Sequence, residues 1–168
     1  MTISMYQASV PVFTRALTNL SVVLKKGEAF AKEKNVEPDR LLQQRLIFDM
    51  LPLIKQIQIA CDTAARGAAR LANAEPQSFP DTETTLAQAY DRIDRTLAYV
   101  KTFKPEQIDG CEERAIVVKM RNNEVNFTGL SYLFGYALPN LFFHCATAYD
   151  ILRVAGTPIG KKDFLGNQ

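Results

Sequence analysis

Apolar residues recur at intervals of three and four through most of this chain, and that period predicts its elements more clearly than any motif. From about Ser9 to Lys34, the positions Val10, Phe13, Leu17, Leu20, Leu24, Gly27 and Ala31 form one stripe of an amphipathic helix, with Pro11 in its first turn. Asn35 to Asp39 breaks the pattern. A longer stripe through Leu42, Leu46, Met50, Leu53, Ile57, Ala60, Ala64, Ala68 and Leu71 predicts a second helix, interrupted at Pro52. Residues 73–81 contain Pro76 and Pro80 and read as a loop. Asp81 or Thr82 is expected to cap a third helix, which carries Leu86, Tyr90, Ile93, Leu97 and Val100 inward.

The period then changes. Ala115–Met120 and Glu124–Thr128 are rich in β-branched and alternating residues, and Arg121-Asn122-Asn123 between them reads as a turn in which asparagine tolerates positive φ, so a short β-hairpin is predicted. A fourth helix follows from about Leu130, with Leu133, Phe134, Ala137, Leu138, Leu141, Cys145, Ala148 and Leu152 inward, and it ends at Gly156. The last residues, from Thr157 on, place Ile159, Phe164 and Leu165 so that the tail lies back on the bundle. The expected fold is therefore mainly α: an antiparallel four-helix bundle with a short β-hairpin before the last helix, one domain over residues 1–168.

Composition changes this picture little. Hydrophobic residues make up 47% of the 168 positions and charged residues 23%, which excludes large-scale disorder. Twenty basic and eighteen acidic residues leave a net charge of +2, scattered rather than gathered into a face that would neutralise phosphates, so no nucleic-acid partner is expected. No uninterrupted apolar stretch approaches the roughly 18 residues of a membrane span, and the start has no signal-peptide pattern. A cytoplasmic protein with no membrane partner is expected. Cys61, Cys111 and Cys145 are odd in number and far apart, as reduced thiols are, with Cys111 in a polar loop. Gly160-Lys161-Lys162 lacks the glycine spacing and the Ser/Thr of a phosphate loop.

Candidate chemistry comes from polar residues inside the stripes. At about 100° per residue, Asp49 falls within about 60° of Leu42, Leu46 and Leu53, on or beside the buried face of the second helix, with Gln56 just outside it. On the fourth helix, His144 sits between Leu141 and Ile151, one turn after Asn140. His144 is the single histidine of the chain, which excludes every site that needs two imidazoles, including most catalytic zinc centres. A carboxylate and an imidazole meeting across the bundle would orient the ring and raise its pKa. Pro52 and Pro139 each free a carbonyl near these residues, which favours a small wet pocket. The candidate ligand-binding set is Asp49, Gln56, Asn140 and His144, with a small molecule as ligand. The bland counterpart is a core histidine satisfied by a neighbouring oxygen, with Asp49 in solvent.

Ala137–Arg153 (Ala-Leu-Pro-Asn-Leu-Phe-Phe-His-Cys-Ala-Thr-Ala-Tyr-Asp-Ile-Leu-Arg), then Gly156 and Ile159–Gly166, together with Arg45–Gln58, resembles a domain-of-unknown-function family within the DinB-like four-helix-bundle superfamily. The resemblance runs nearly end to end. It implies a bundle, often dimeric, among relatives read as metal-dependent enzymes, some of them transferring low-molecular-weight thiols. Those relatives hold metal through three histidines, one on the second helix and two spaced i, i+4 on a later one. Here Asp49 stands in place of the first, and the i+4 and i−4 neighbours of His144 are Ala148 and Asn140. No metal and no other cofactor is therefore expected. Three functions stay open: a cytoplasmic DinB-like bundle protein with a small-molecule pocket around Asp49 and His144; a hydrolase or transferase whose degenerate site, Asp49 and His144, holds a divalent ion; and a non-catalytic structural or interaction protein. Apolar residues beyond one stripe, Val12, Val22 and Val23 on the first helix and Phe142, Phe143 and Tyr149 on the fourth, predict a homodimer.

Overall fold

A computed structural model describes residues 3–120 and 123–166. Its long helices are α1 (Val10–Glu33), α2 (Leu53–Leu71), α3 (Leu86–Val100) and α6 (Leu138–Val154). Shorter pieces connect them: a 3₁₀ turn at Pro38–Gln43, α4 (Pro105–Ile108), a hairpin of β1 (Ala115–Met120) and β2 (Asn123–Thr128), α5 (Gly129–Tyr132), a π turn at Leu133–Ala137, and α7 (Lys161–Leu165).

Burial follows the predicted stripe in α1, where Val10, Phe13, Leu17, Leu20, Leu24, Gly27 and Ala31 are all enclosed and Pro11 occupies the first turn. In α3, Leu86, Ile93 and Val100 are buried, and the helix starts four residues later than the first capping candidate. Thr85 is the cap: its hydroxyl accepts from Gln88 N–H while the Gln88 side chain accepts from the Thr85 N–H. Asp81 bonds elsewhere, as described below.

The direction of the helices follows from which residues meet. In α1, Gly27 lies against Leu152, while Gly67 of α2 lies against Phe13 and Ala137. Hence α1 and α6 run one way and α2 the other. After α2, residues 72–85 return along its flank, with Lys55 paired to Asp81 and Gln58 bonded to Glu83. That return spans about 28 Å, the length of a 19-residue helix at 1.5 Å per residue. So α3 starts beside the start of α2 and runs parallel to it. The bundle is antiparallel as two pairs, α1 and α6 against α2 and α3.

The hairpin sits where the change of period predicts it, in the register Ala115↔Thr128 to Met120↔Asn123. Ile116 and Val118 face the core and Val117 faces out, the two-residue alternation of a strand with one solvated face. The second strand starts one residue earlier than the pattern predicts, and the expected asparagine turn falls on Arg121 and Asn122, outside the described residues.

Two placements differ from the sequence reading because of proline. The second helix begins only at Leu53, since Pro52 takes its N-cap position. Residues 44–52 form an irregular loop, held by Arg45 donating to the Met50 carbonyl and by Leu53 N–H donating to the Gln44 carbonyl. Near Pro139, the final helix absorbs the missing amide in a π turn. The wider turn shifts the helical phase, and Phe134, expected inward, is 53% exposed.

Cys111 is buried despite its polar loop, and the backbone of Gly129 lies so close to its carbonyl that any Cβ there would overlap it. Among the described residues, no helix is long and apolar enough to cross a membrane.

Candidate functional site

Two of the four predicted site residues, Gln56 and His144, meet across the α2–α6 interface, and Asn140 crosses the same interface to a residue outside the predicted set. Gln56 Oε1 lies 2.7 Å from His144 Nδ1, and Asn140 Nδ2 donates to Thr63 Oγ1 at 2.8 Å. These two rungs run in opposite order along the helices, as antiparallel packing requires, with Ala60, Ala64 and Leu141 buried nearby. Gln56 Nε2 donates to the Leu51 carbonyl at 2.9 Å, so its oxygen is the atom facing the ring. A ring nitrogen facing a carbonyl oxygen must carry the proton. His144 is therefore the Nδ1–H tautomer, and Nε2 keeps its lone pair with no hydrogen-bond partner among the described residues. The ring is only 9% exposed, flanked edge-on by Phe143 at 5.2 Å, and burial holds its pKa below the ordinary 6.5. It is neutral at pH 7.

Asp49 does not belong to this group. It lies in an exposed turn of the 44–52 loop, not on a buried helical face. The helical phase that points it inward requires a helix through Pro52, and none forms. The amide of Gln56, rather than the carboxylate of Asp49, orients the imidazole, so the expected rise in pKa gives way to a fall. Among the described residues, no cluster of three or more His, Cys, Asp and Glu is spaced to hold a metal ion. One imidazole bonded to an amide does not fit the three-histidine centre that the resemblance implies. Nor do the thiols offer a nucleophile: burial pushes Cys61 and Cys145 up to about 12 and also raises Cys111.

The sequence reading misses a second polar cluster. Arg92 of α3 has no exposed side-chain surface, and it bonds Glu83 and the Pro80 carbonyl at 3.1 Å each and Asp62 at 2.6 Å, with Asp81 at 3.3 Å. Burial alone would raise the Glu83 carboxyl, but Gln58, its own backbone amide and Arg92 together hold it below the usual carboxylate range. The cluster pins the returning 72–85 segment to α2 and α3. Its signal was present: Arg92 occupies the stripe set by Ala89, Ile93 and Thr96, and an acid-rich segment precedes the helix.

On the other side of α6, toward α1 and α7, lies an apolar cavity of about 420 Å³. Ala16, Leu20 and Val23 of α1 and Cys145 of α6 form its buried floor, and Phe142 and Phe164 form its walls. The tail closes one side: Asn19 Nδ2 donates to the Phe164 carbonyl at 3.1 Å, Arg15 to the Leu165 carbonyl at 2.9 Å, and the Phe164 ring packs edge-on against Tyr149 at 5.8 Å. Lys26 pairs with Asp163. Gly166 has φ 72° and lies so close to Asn19 that a Cβ would overlap the amide.

Comparison with known proteins supports both the fold and the resemblance. A crystal structure of a DinB family member protein from Shewanella denitrificans superposes with a TM-score of 0.87 at 39% identity, over 97% of this chain and 92% of that one. No curated protein matches. The sequence profile described as a domain of unknown function, DUF1993, matches residues 5–165. The fold is thus a DinB-like helical bundle with a two-stranded sheet before its last long helix, and the chain belongs to the DUF1993 family.

Proposed function

We propose that this chain is a non-catalytic, cytoplasmic small-molecule-binding protein whose ligand site is the cavity between α1, α6 and α7. The observation that carries the reading is the cavity itself. Its volume falls within the range of ligand sites, and its floor is apolar with a few polar groups at the rim, the usual composition of such sites. The chemistry nearby argues for binding rather than reaction, since the Cys145 thiol on the floor is held neutral by burial. Three free, buried thiols support the cytoplasmic part. Gln56, Asn140 and His144 then serve chiefly to hold the register of α2 against α6, and the alternative of a divalent-metal hydrolase or transferase finds no donor set among the described residues.

The reading is tested by following ¹H–¹⁵N spectra of the full chain during titration with 1-octanol, a neutral amphiphile. Saturable shifts concentrated at Ala16, Leu20, Phe142 and Cys145 are expected. Scattered or non-saturating shifts overturn the reading.

His144 favours a second contact with a small molecule, because among the described residues nothing hydrogen-bonds its Nε2. Leu130 and Phe134, before α6, and Phe143, within it, are exposed, and they support the homodimer reading.

A further inference from the structure

The rim of the cavity has a definite chemistry. Arg15 and Asn19 stand one turn apart on α1, above the buried Ala16, Leu20 and Val23, so polar groups line one edge of an otherwise apolar space. Asn19 is committed to the tail through its amide nitrogen. Arg15 is not committed in the same way. Its guanidinium carries five donors, and the hydrogen bond it makes is the one to the Leu165 carbonyl. Among the described residues, no carboxylate lies within ion-pair distance of Arg15, although Lys26, Arg66, Arg92 and Arg95 all have one. The acid nearest in the tail, Asp163, is taken by Lys26 and by the Gly160 amide. An unneutralised planar cation at the edge of an apolar cavity is complementary to a molecule with a hydrocarbon body and one carboxylate, which a guanidinium engages with two parallel hydrogen bonds.

We propose that the cavity binds an amphipathic monocarboxylate, its apolar body between Leu20, Val23, Phe142 and Phe164 and its carboxylate on Arg15. The inference rests on the reading of this cavity as the ligand site and adds the class of ligand. The α7 segment then has a direct part in binding, because its Phe164 ring forms a wall and its Leu165 carbonyl fixes the guanidinium at the rim. A short-chain alcohol would use the same floor without the charge contact, and an alkylamine would meet Arg15 with like charge.

Calorimetric titration of the full chain with octanoate, 1-octanol and octylamine separates these cases. Octanoate is expected to bind one per chain, at least about tenfold more tightly than the other two, since an ion pair with hydrogen bonds contributes on the order of 1.4 kcal/mol or more in a partly enclosed site. Arg15→Gln, at an exposed position, keeps an amide that can donate to the Leu165 carbonyl but removes the charge, and it should lower octanoate affinity at least about tenfold relative to octanol measured on the same variant. Ala16→Phe fills the floor and should abolish both; if its melting curve shows that it does not fold, Leu20→Met and the Arg15→Gln result decide in its place. Equal affinity for octanoate and octanol, or octanoate affinity unchanged in Arg15→Gln, overturns the carboxylate inference and leaves the cavity reading standing. No saturable binding of any of the three overturns both.

Discussion

Replacing Arg92 by methionine keeps most of its volume and removes its charge, so it isolates what the buried guanidinium does. In the native protein that group answers Glu83 and Asp62 at 3.1 and 2.6 Å, with no side-chain exposure of its own and almost none for Glu83. Without it, the Glu83 carboxylate keeps its bond from Gln58 and the half-exposed Arg95 at 3.9 Å but loses the buried cation that hydrogen-bonds it, and the Pro80 carbonyl loses a donor. Breaking a buried pair by removing one partner costs about 3–5 kcal/mol, because the other charge is left uncompensated. For a domain of this size, each kcal/mol lowers the melting temperature by about 2–4 °C, so Arg92→Met should melt roughly 6–20 °C below the parent by circular dichroism. Adding Glu83→Gln removes the stranded charge and should restore part of the loss, giving a clear coupling in the double-mutant cycle. A single variant that melts within about 2 °C of the parent, or a double variant whose losses simply add, would refute the account of the cluster as a buried ion pair. The pH dependence has a definite sign. Glu83 is held below its ordinary value in the folded state, so it stabilises the fold above the ordinary carboxylate range and loses that contribution as pH falls through and below it. The melting temperature of the parent should therefore fall on acidification from about pH 5, and more steeply than that of Glu83→Gln.

Gln56→Leu leaves the Nδ1–H of His144 without an acceptor and should cost about 1–3 kcal/mol in urea unfolding, whereas Asp49→Asn in its exposed turn should change stability by less than about 0.5 kcal/mol. Because burial lowers the pKa of His144, the folded protein resists its protonation. Stability should then fall as pH drops below the ordinary histidine value of 6.5, and His144→Phe should flatten that slope. Gly129→Ala places a methyl group against the Cys111 carbonyl and should destabilise by about 3 kcal/mol or more, since backbone stands in its way. Sedimentation at micromolar concentration should report a mass near twice 18.8 kDa, and Phe143→Ser should shift it toward the monomer.

Elements that depend on local period can be read from the chain alone. A helix that buries one face must repeat its apolar residues every three or four positions, and a half-buried strand every two, so α1, α3, α6 and the hairpin were legible together with most of their buried residues. Their partners were not, because which stripe meets which is a matter of long-range packing. Nothing local says that residues 72–85 travel back along α2 and make α3 parallel to it, or that Arg92 finds its acids in that returning segment. Proline marks the boundary between the two levels. Its presence at 52 and 139 was visible, but whether it kinks a helix, starts one or is absorbed in a π turn depends on the surroundings. That choice moved Asp49 into solvent and Phe134 outward. Gln56, Asn140 and His144 face the α2–α6 interface because the helical phase holds at all three, yet their bonding, amide to imidazole and amide to hydroxyl, was decided by the distance between two helices. The cavity belongs wholly to the tertiary structure: its floor comes from α1 and α6 and its wall from a tail about 145 residues later in the chain, brought together by packing of Phe164 and by the Arg15 and Asn19 hydrogen bonds that no local pattern encodes.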